Sequence, residues 1–249
     1  MMRNRFLAML IFVSAIFGGQ ETVSACTTAI ITGKSTPDGR PLLYKHRDSG
    51  FTQNKLMFFD GDGYSFIGLI NSEDQTGEEV WIGSNSAGFA IMNSASYNLA
   101  VDDTIRLKDQ EGVIMKAALG RCATLADFEK LLDEWPKPLG VEANFGVIDA
   151  QGGAAYYETN NFSYTKIDAN DPAVAPFGYL IRTNYSFTGS ADDGYGYIRY
   201  LNAENLFYQA AAEHALTHRF LLQKVSRNLY HSLVKTDLSA PPFPPAGEE

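Results

Sequence analysis

Cys26 stands directly after Val23-Ser24-Ala25 and opens the β-branched run Thr27-Thr28-Ala29-Ile30-Ile31. A cut between Ala25 and Cys26 would leave one residue with both a thiol and a free α-amine. An α-amine titrates near ~7.7–8.0, so at neutral pH it can accept the thiol proton, and the thiolate is the nucleophilic form. Nucleophile and base would then share one residue, with no histidine involved. Downstream, a turn at Ser35-Thr36-Pro37-Asp38-Gly39 returns the chain to Cys26 and brings Lys45, His46, Arg47 and Asp48 with it. Proline presets φ in such a turn and glycine takes the positive φ. Four charged or titratable residues in succession are unusual for a purely structural strand end.

The elements that would hold these residues read as follows. Residues 1–25 have the layout of a secretory signal: Arg3 and Arg5, an apolar run from Phe6 to Phe17, then small residues before the cut. The run falls short of the ~20 residues that span a bilayer. Val-Ser-Ala-Cys also fits a lipoprotein signal, which would acylate Cys26 and remove both reactive groups. Gly18-Gly19-Gln20-Glu21-Thr22 separates the apolar run from the cysteine, however, and no flexible tether follows it. Ordinary cleavage and export to the periplasm or exterior are therefore expected. The rest divides into one domain over 26–237 and a Pro-rich tail over 238–249. A formal charge of −9 and a pI near 4.9, with no basic cluster, exclude a nucleic-acid partner and disfavour an anionic membrane surface. A disulfide between the two cysteines, Cys26 and Cys122, would consume the nucleophile, so the two readings exclude each other.

Strands are expected over 26–32 and 41–46, then two around a tight Asp-Gly turn at Asp60-Gly61-Asp62-Gly63, which lacks the later acidic ligands of a calcium loop. Two more follow over 80–83 and 88–93, with Asn85 in the turn between. A helix over 110–121 precedes a second one opened by the capping box Thr124-Leu125-Ala126-Asp127, with Phe128, Leu131, Leu132 and Trp135 inward and Pro136 beyond its end. Cys122 between them reads as a small buried hydrophobe. Strands over 143–148, 154–158 and 162–167 place Glu158 at the sheet's outer edge. Another strand lies within 178–186, and a helix runs from Arg199 to Ala212. His214 and His218, four apart, read as a solvated helix surface rather than a metal pair. Phe51, Phe58, Phe59 and Tyr97 fit an apolar acyl pocket or ordinary core equally well.

Cys-Thr-Thr at a new N-terminus, Asp-Gly in the turn and a basic residue three before Asp48 resemble the N-terminal nucleophile (Ntn) hydrolases of the choloylglycine hydrolase, penicillin V acylase and acyltransferase group. Ala-Cys-Thr-Thr also resembles the related cysteine dipeptidases. Further likenesses are Gly83-x-Asn85-x-x-Gly88-x-Ala90-Ile91 with Asn93 close behind, Asp149-x-x-Gly152 before Ala154-Ala155-Tyr156-Tyr157-Glu158, and Thr183-Asn184. The resemblance implies an α+β fold, a four-layer αββα sandwich of antiparallel sheets, with Cys26 on an inner strand. It implies that Asp48 holds the new amine, that Lys45 or Arg47 lies near the thiolate, that Asn93 and Asn184 hold the oxyanion, and that Arg199, matched by placement, lowers the thiol's pKa. The chain ends early compared with that group, through truncation or a shorter natural form.

The expected activity is that of an exported amidohydrolase cleaving linear C–N amide bonds of small N-acyl compounds through a thioester, with an amine as alternative acyl acceptor. It needs no cofactor or metal. A cysteine dipeptidase, and a non-catalytic surface lipoprotein lipidated at Cys26, are the alternatives. Stable membrane association is expected only with that lipid, and a homo-oligomer is compatible with the sequence.

Overall fold

The structure, a computed structural model, describes residues 26–99, 104–191, 194–228, 230–231 and 235–237. The expected leader over 1–25 and tail over 238–249 lie outside the described residues. In chain order the strands and helices are β1 (Thr27–Ile31), β2 (Leu42–His46), β3 (Asn54–Phe59), β4 (Phe66–Asn71), β5 (Ile82–Asn85), β6 (Ala90–Ala95), α1 (Glu111–Arg121), α2 (Leu125–Glu134), β7 (Ala143–Ile148), β8 (Ala154–Thr159), β9 (Tyr164–Asp168), β10 (Tyr179–Arg182), α3 (Tyr197–Ala212), α4 (His218–Gln223), β11 (Tyr230–His231) and β12 (Thr236–Asp237). Strands β3 to β9 form a seven-stranded antiparallel meander, and β10, β1 and β2 a three-stranded antiparallel sheet with β1 in the centre.

Period-two alternation builds the layers. On β1, Ala29 and Ile31 face α3 and α4, where they pack with Phe207, Ala210 and Leu221, while Ile30 faces the large sheet. Leu180 on β10 joins Ile30 between the sheets, where Met92, Ile148, Ala154 and Tyr156 meet them. The alternate residues Ile91, Val147, Ala155 and Tyr157 face Ile114, Ala118, Phe128 and Leu132 of α1 and α2. Three cores thus separate four layers: helices, large sheet, small sheet, helices. The expected αββα sandwich is the observed fold.

Several local expectations hold and others are corrected. The capping box forms, with Asp127 N donating to Thr124 Oγ1 at 3.2 Å and Thr124 N to Asp127 Oδ2 at 2.9 Å. Asn85 Oδ1 accepts from Ala87 and Phe89 N–H in the expected turn, while its Nδ2 caps the carbonyls of Leu119 and Cys122. Cys122 is buried outside any disulfide, and burial pushes its thiol up to about 12. The connection after β3 is not a tight turn: Phe59 pairs with Phe66, and the loop between them docks on the end of α1. There Gly63 and Tyr64 N–H donate to Gly120 O, and Asp62 pairs with Arg121 at 2.8 Å. A Cβ on Gly61 would lie 2.7 Å from Gly120 Cα, so only glycine permits this approach. His214 and His218 do not share a helix: α3 ends at Ala212, His214 sits at φ 51° in the turn, and His218 opens α4.

Glu158 is the largest correction. Its strand lies between β7 and β9 rather than at an edge, all six residues of β8 are buried, and its carboxylate pairs with Arg182 Nε at 2.7 Å. The pair joins the two sheets. Glu158 also accepts from Phe187 N, Thr188 N and Thr188 Oγ1, while the Arg182 guanidinium lies 3.9 Å from the Phe187 ring centroid and 5.2 Å from that of Tyr156. One buried carboxylate therefore ties down both ends of the 182–188 segment.

Candidate active site

Cys26, 3% exposed, sits at the entrance to β1. Thr27 pairs with His46 and Thr28 with Lys45. Opposed residues share a face, and faces alternate along a strand. Lys45 and Arg47 therefore fall on the face that Cys26 and Thr28 share, toward the large sheet, while His46 and Asp48 fall with Thr27 on the face toward α3. A cavity of about 550 Å³ opens on that second face, lined by Thr27, Tyr44, His46, Asp48, Arg199 and Leu206 among others. The Cys26 thiol donates to the backbone carbonyl of Asp48 at 3.9 Å.

On the first face, Lys45 is half-buried and its Nζ donates to Asn93 O at 2.6 Å and Asn93 Oδ1 at 2.7 Å. Burial lowers its pKa to about 8 against the opposing influence of Cys26. Because Oδ1 of Asn93 is occupied, its amide NH₂ is the end directed away from Lys45. Arg47 turns outward. It donates to Asn71 Oδ1 at 2.8 Å, Asn54 Oδ1 at 2.5 Å and Phe51 O at 3.3 Å, and lies 4.9 Å from the Trp81 ring centroid. Burial lowers the Arg47 pKa, again opposed by Cys26. Both cations thus feel the thiol, and only Lys45 is also bonded to Asn93.

Arg199 lies in the first turn of α3 and gathers the remaining candidates. Its Nη1 donates to Cys26 O and, at 3.2 Å, to Thr27 Oγ1, and its Nη2 donates to Asn184 Oδ1 at 2.7 Å. Asn184 Nδ2 donates to Ala95 O at 3.0 Å. Burial lowers the Arg199 pKa, while Cys26 and Asp48 oppose it. Gly196 caps α3 with φ 92°, and a Cβ there would lie 2.5 Å from Arg199 Nη2 and 2.8 Å from Thr183 Cβ. The arginine's approach to β1 thus requires glycine at this cap. Asn184 itself is held by the network around it: Ser186 Oγ donates to Asn144 Oδ1 at 2.6 Å, Ser186 N to Asn98 Oδ1 at 2.8 Å, and Asn144 Nδ2 to Tyr185 O at 3.3 Å.

Of the expected acyl-pocket aromatics, Phe59 belongs to the core under α1, stacked on Phe66, and Tyr97 meets Tyr195 edge-on. Phe51 and Phe58 are exposed. The four do not form one pocket. Among the described residues, no three His, Cys, Asp or Glu side chains are grouped to hold a metal. Sequence reasoning missed Arg182, Asn144 and Glu111. Glu111 is a buried carboxyl at the first position of α1, pushed up to about 7 by burial, and accepts from Glu142 N at 3.4 Å. An acid in a helix's first turn ordinarily reads as a solvated dipole partner, so its burial had no sequence signal.

Two antiparallel sheets layered between helices are the fold of the Ntn hydrolases. The solved structure of the Caenorhabditis elegans ortholog of N-acylethanolamine-hydrolyzing acid amidase shares it, at 14% identity over 80% of this chain and 88% of the other, with a TM-score of 0.54. Weaker likenesses are to the conjugated bile acid hydrolase of Clostridium perfringens (13% identity, 74% of this chain, 57% of the other, TM-score 0.45) and penicillin V acylase of Agrobacterium tumefaciens (13% identity, 86% and 58%, TM-score 0.37). The fold assignment rests on the first. The chain spans little more than half the length of the other two. No family model matches the chain, and no curated protein sequence matches it.

Proposed function

We propose that the chain is an exported amidohydrolase that cleaves linear C–N amide bonds of N-acyl compounds with Cys26 as nucleophile. The supporting observation is that Arg199 from α3 bonds both the Cys26 carbonyl and Asn184 from the loop after β10, while Lys45, on the strand face that Cys26 shares, bonds Asn93 from β6. Removal of residues 1–25 frees the Cys26 amine beside Asp48. The thiol proton passes to that amine, Sγ attacks the acyl carbon, and the oxyanion is met by amide NH₂ groups of Asn93 and Asn184. The proton returns to the leaving nitrogen, and water resolves the thioester. Arg199 fixes the Cys26 carbonyl and orients Asn184 through one guanidinium.

The test combines intact mass with a substrate panel. The secreted protein is expected to begin at an unmodified Cys26 and to turn over at least one of N-acylethanolamines, N-acyl amino acids, penicillin V, conjugated bile acids or dipeptides. A diacylglyceryl mass on Cys26 would overturn the reading. On a responding substrate, Asn184→Ala is expected to lower kcat by about 10²–10³-fold, the usual cost of one lost oxyanion donor, and an unchanged kcat would remove Asn184 from this role.

A further inference from the structure

We propose that Lys45 is a second proton acceptor for the Cys26 thiol, so that Cys26 reacts even while it is still peptide-bonded to Ala25. The hydrolytic part of this proposal rests on the function proposed above; the reactivity of the thiol does not.

The geometry of the amine carries the argument. An ammonium has three N–H donors, and a neutral amine has two donors and a lone pair. Lys45 Nζ makes two hydrogen bonds, and both go to one residue, Asn93 O and Asn93 Oδ1, at 2.6 and 2.7 Å. Loss of the third proton therefore costs the lysine no hydrogen bond and leaves Asn93 oriented as before. The β1–β2 register pairs Lys45 with Thr28, two residues beyond Cys26 and on the strand face that Cys26 shares. No carboxylate lies within ion-pair distance of Lys45 among the described residues, so nothing local pins the proton.

The charged groups acting on Nζ are few. Cys26, just before β1, favours the ammonium, Arg47, just past the end of β2, disfavours it, and the buried Glu111 from α1 favours it weakly. Strand β6 contributes the neutral Asn93, and β7, which also packs near β2, carries no titratable side chain. Burial brings the amine to about 8, a range in which a group both accepts and returns a proton near neutral pH. An arginine at this place could supply charge but could neither accept nor return a proton.

The step is as follows. The Sγ–H proton moves to Nζ, giving a thiolate and an ammonium. The thiolate forms the S–C bond, the C–N bond breaks, and the proton on Nζ passes to the leaving nitrogen. Water then loses a proton to Nζ as it attacks the thioester, and that proton returns to Sγ.

The test uses the full chain with Ala25→Arg, which removes the small residue that cleavage needs. It is purified in detergent, and intact mass shows whether the leader is retained. Two readouts are taken: alkylation of Cys26 by iodoacetamide, with buried Cys122 as internal control, and turnover of an amide and of p-nitrophenyl acetate. In the uncleaved chain Lys45→Met is expected to slow alkylation of Cys26 at pH 7 by about tenfold or more. Lys45→Arg is expected to keep alkylation and ester turnover while losing amide turnover by about 10²-fold, because only the amide's leaving group needs the returned proton. Equal alkylation in wild type and Lys45→Met, or full amide turnover by Lys45→Arg, would overturn the proposal. If Lys45→Met does not fold, Lys45→Gln takes its place. If the wild type turns over no amide, the failure falls on the amidohydrolase reading, while equal alkylation in wild type and Lys45→Met would still overturn this one.

Discussion

Cys26→Ser is expected to lower amide turnover by about 10⁴-fold or more, the scale seen when a nucleophile is removed from a cooperating set, with the fold intact. Serine matches cysteine in shape, and Cys26 contributes little to any of the three cores, so the urea midpoint should stay close to that of the wild type. The hydroxyl fails chemically. Unlike the thiol it has no ionised fraction to draw on near neutral pH, and it is the weaker nucleophile in a site arranged around Sγ. Single-turnover kinetics with a substrate from the panel and intact mass measure the effect: wild type should accumulate an acyl adduct on residue 26 and Cys26→Ser none. Unchanged turnover would refute the nucleophile assignment and leave the fold assignment standing.

Arg182→Met is expected to destabilise the protein by about 3–5 kcal/mol at pH 7.5, the cost of breaking a buried ion pair from one side. Glu158 would remain enclosed between the sheets with its hydrogen bonds from Phe187 and Thr188 but without its cation. The pH dependence identifies the cause. In the wild type, burial acts to raise the Glu158 pKa, but Arg182 and the hydrogen bonds outweigh it and the net shift is downward. A depressed carboxylate contributes stability above its unfolded value of ~4.3 and loses it as pH falls through the folded pKa. In Arg182→Met burial is left with less opposition and the shift reverses, so the penalty is full at alkaline pH and shrinks as acid protonates Glu158. Urea unfolding at pH 7.5 and pH 5 measures both. A deficit equal at the two pH values would mean that lost packing against Phe187 and Tyr156, not the uncompensated charge, is responsible. Adding Glu158→Leu should recover only part of the loss, since Phe187 and Thr188 N–H would then lack their acceptor.

Much of this was legible in the sequence because alternation and turn chemistry are local. The run from Thr27 to Ile31, the Pro-Asp-Gly return and the Thr124 capping box each announce their structure within a few residues. Lys45 was legible as a candidate for the same reason: a hairpin register is fixed by its turn. What could not be read depends on which surfaces meet. β8 is covered on both faces, so Glu158 follows no polar-outward pattern, and its partner Arg182 belongs to the other sheet. Glu111 has the position of a helix-start acid, and only the enclosure around it distinguishes it from one. The Asp60–Gly63 stretch has the residues of a tight turn, yet the docking of its backbone on Gly120 opens it into a longer loop. His214 and His218 have helical spacing, but the backbone reverses between them.

The division of β2 into two functional faces makes the 32–41 connection a ruler. A slip of one residue in the β1–β2 register would turn every side chain of β2 over. Lys45 would swing into the cavity beside α3, and Asp48 would swing toward the sheet interface occupied by Asn93. The register of the hairpin therefore encodes chemistry as well as topology. Variation in the connection can be tolerated only where that register is kept, a constraint that no single side chain of the site reveals.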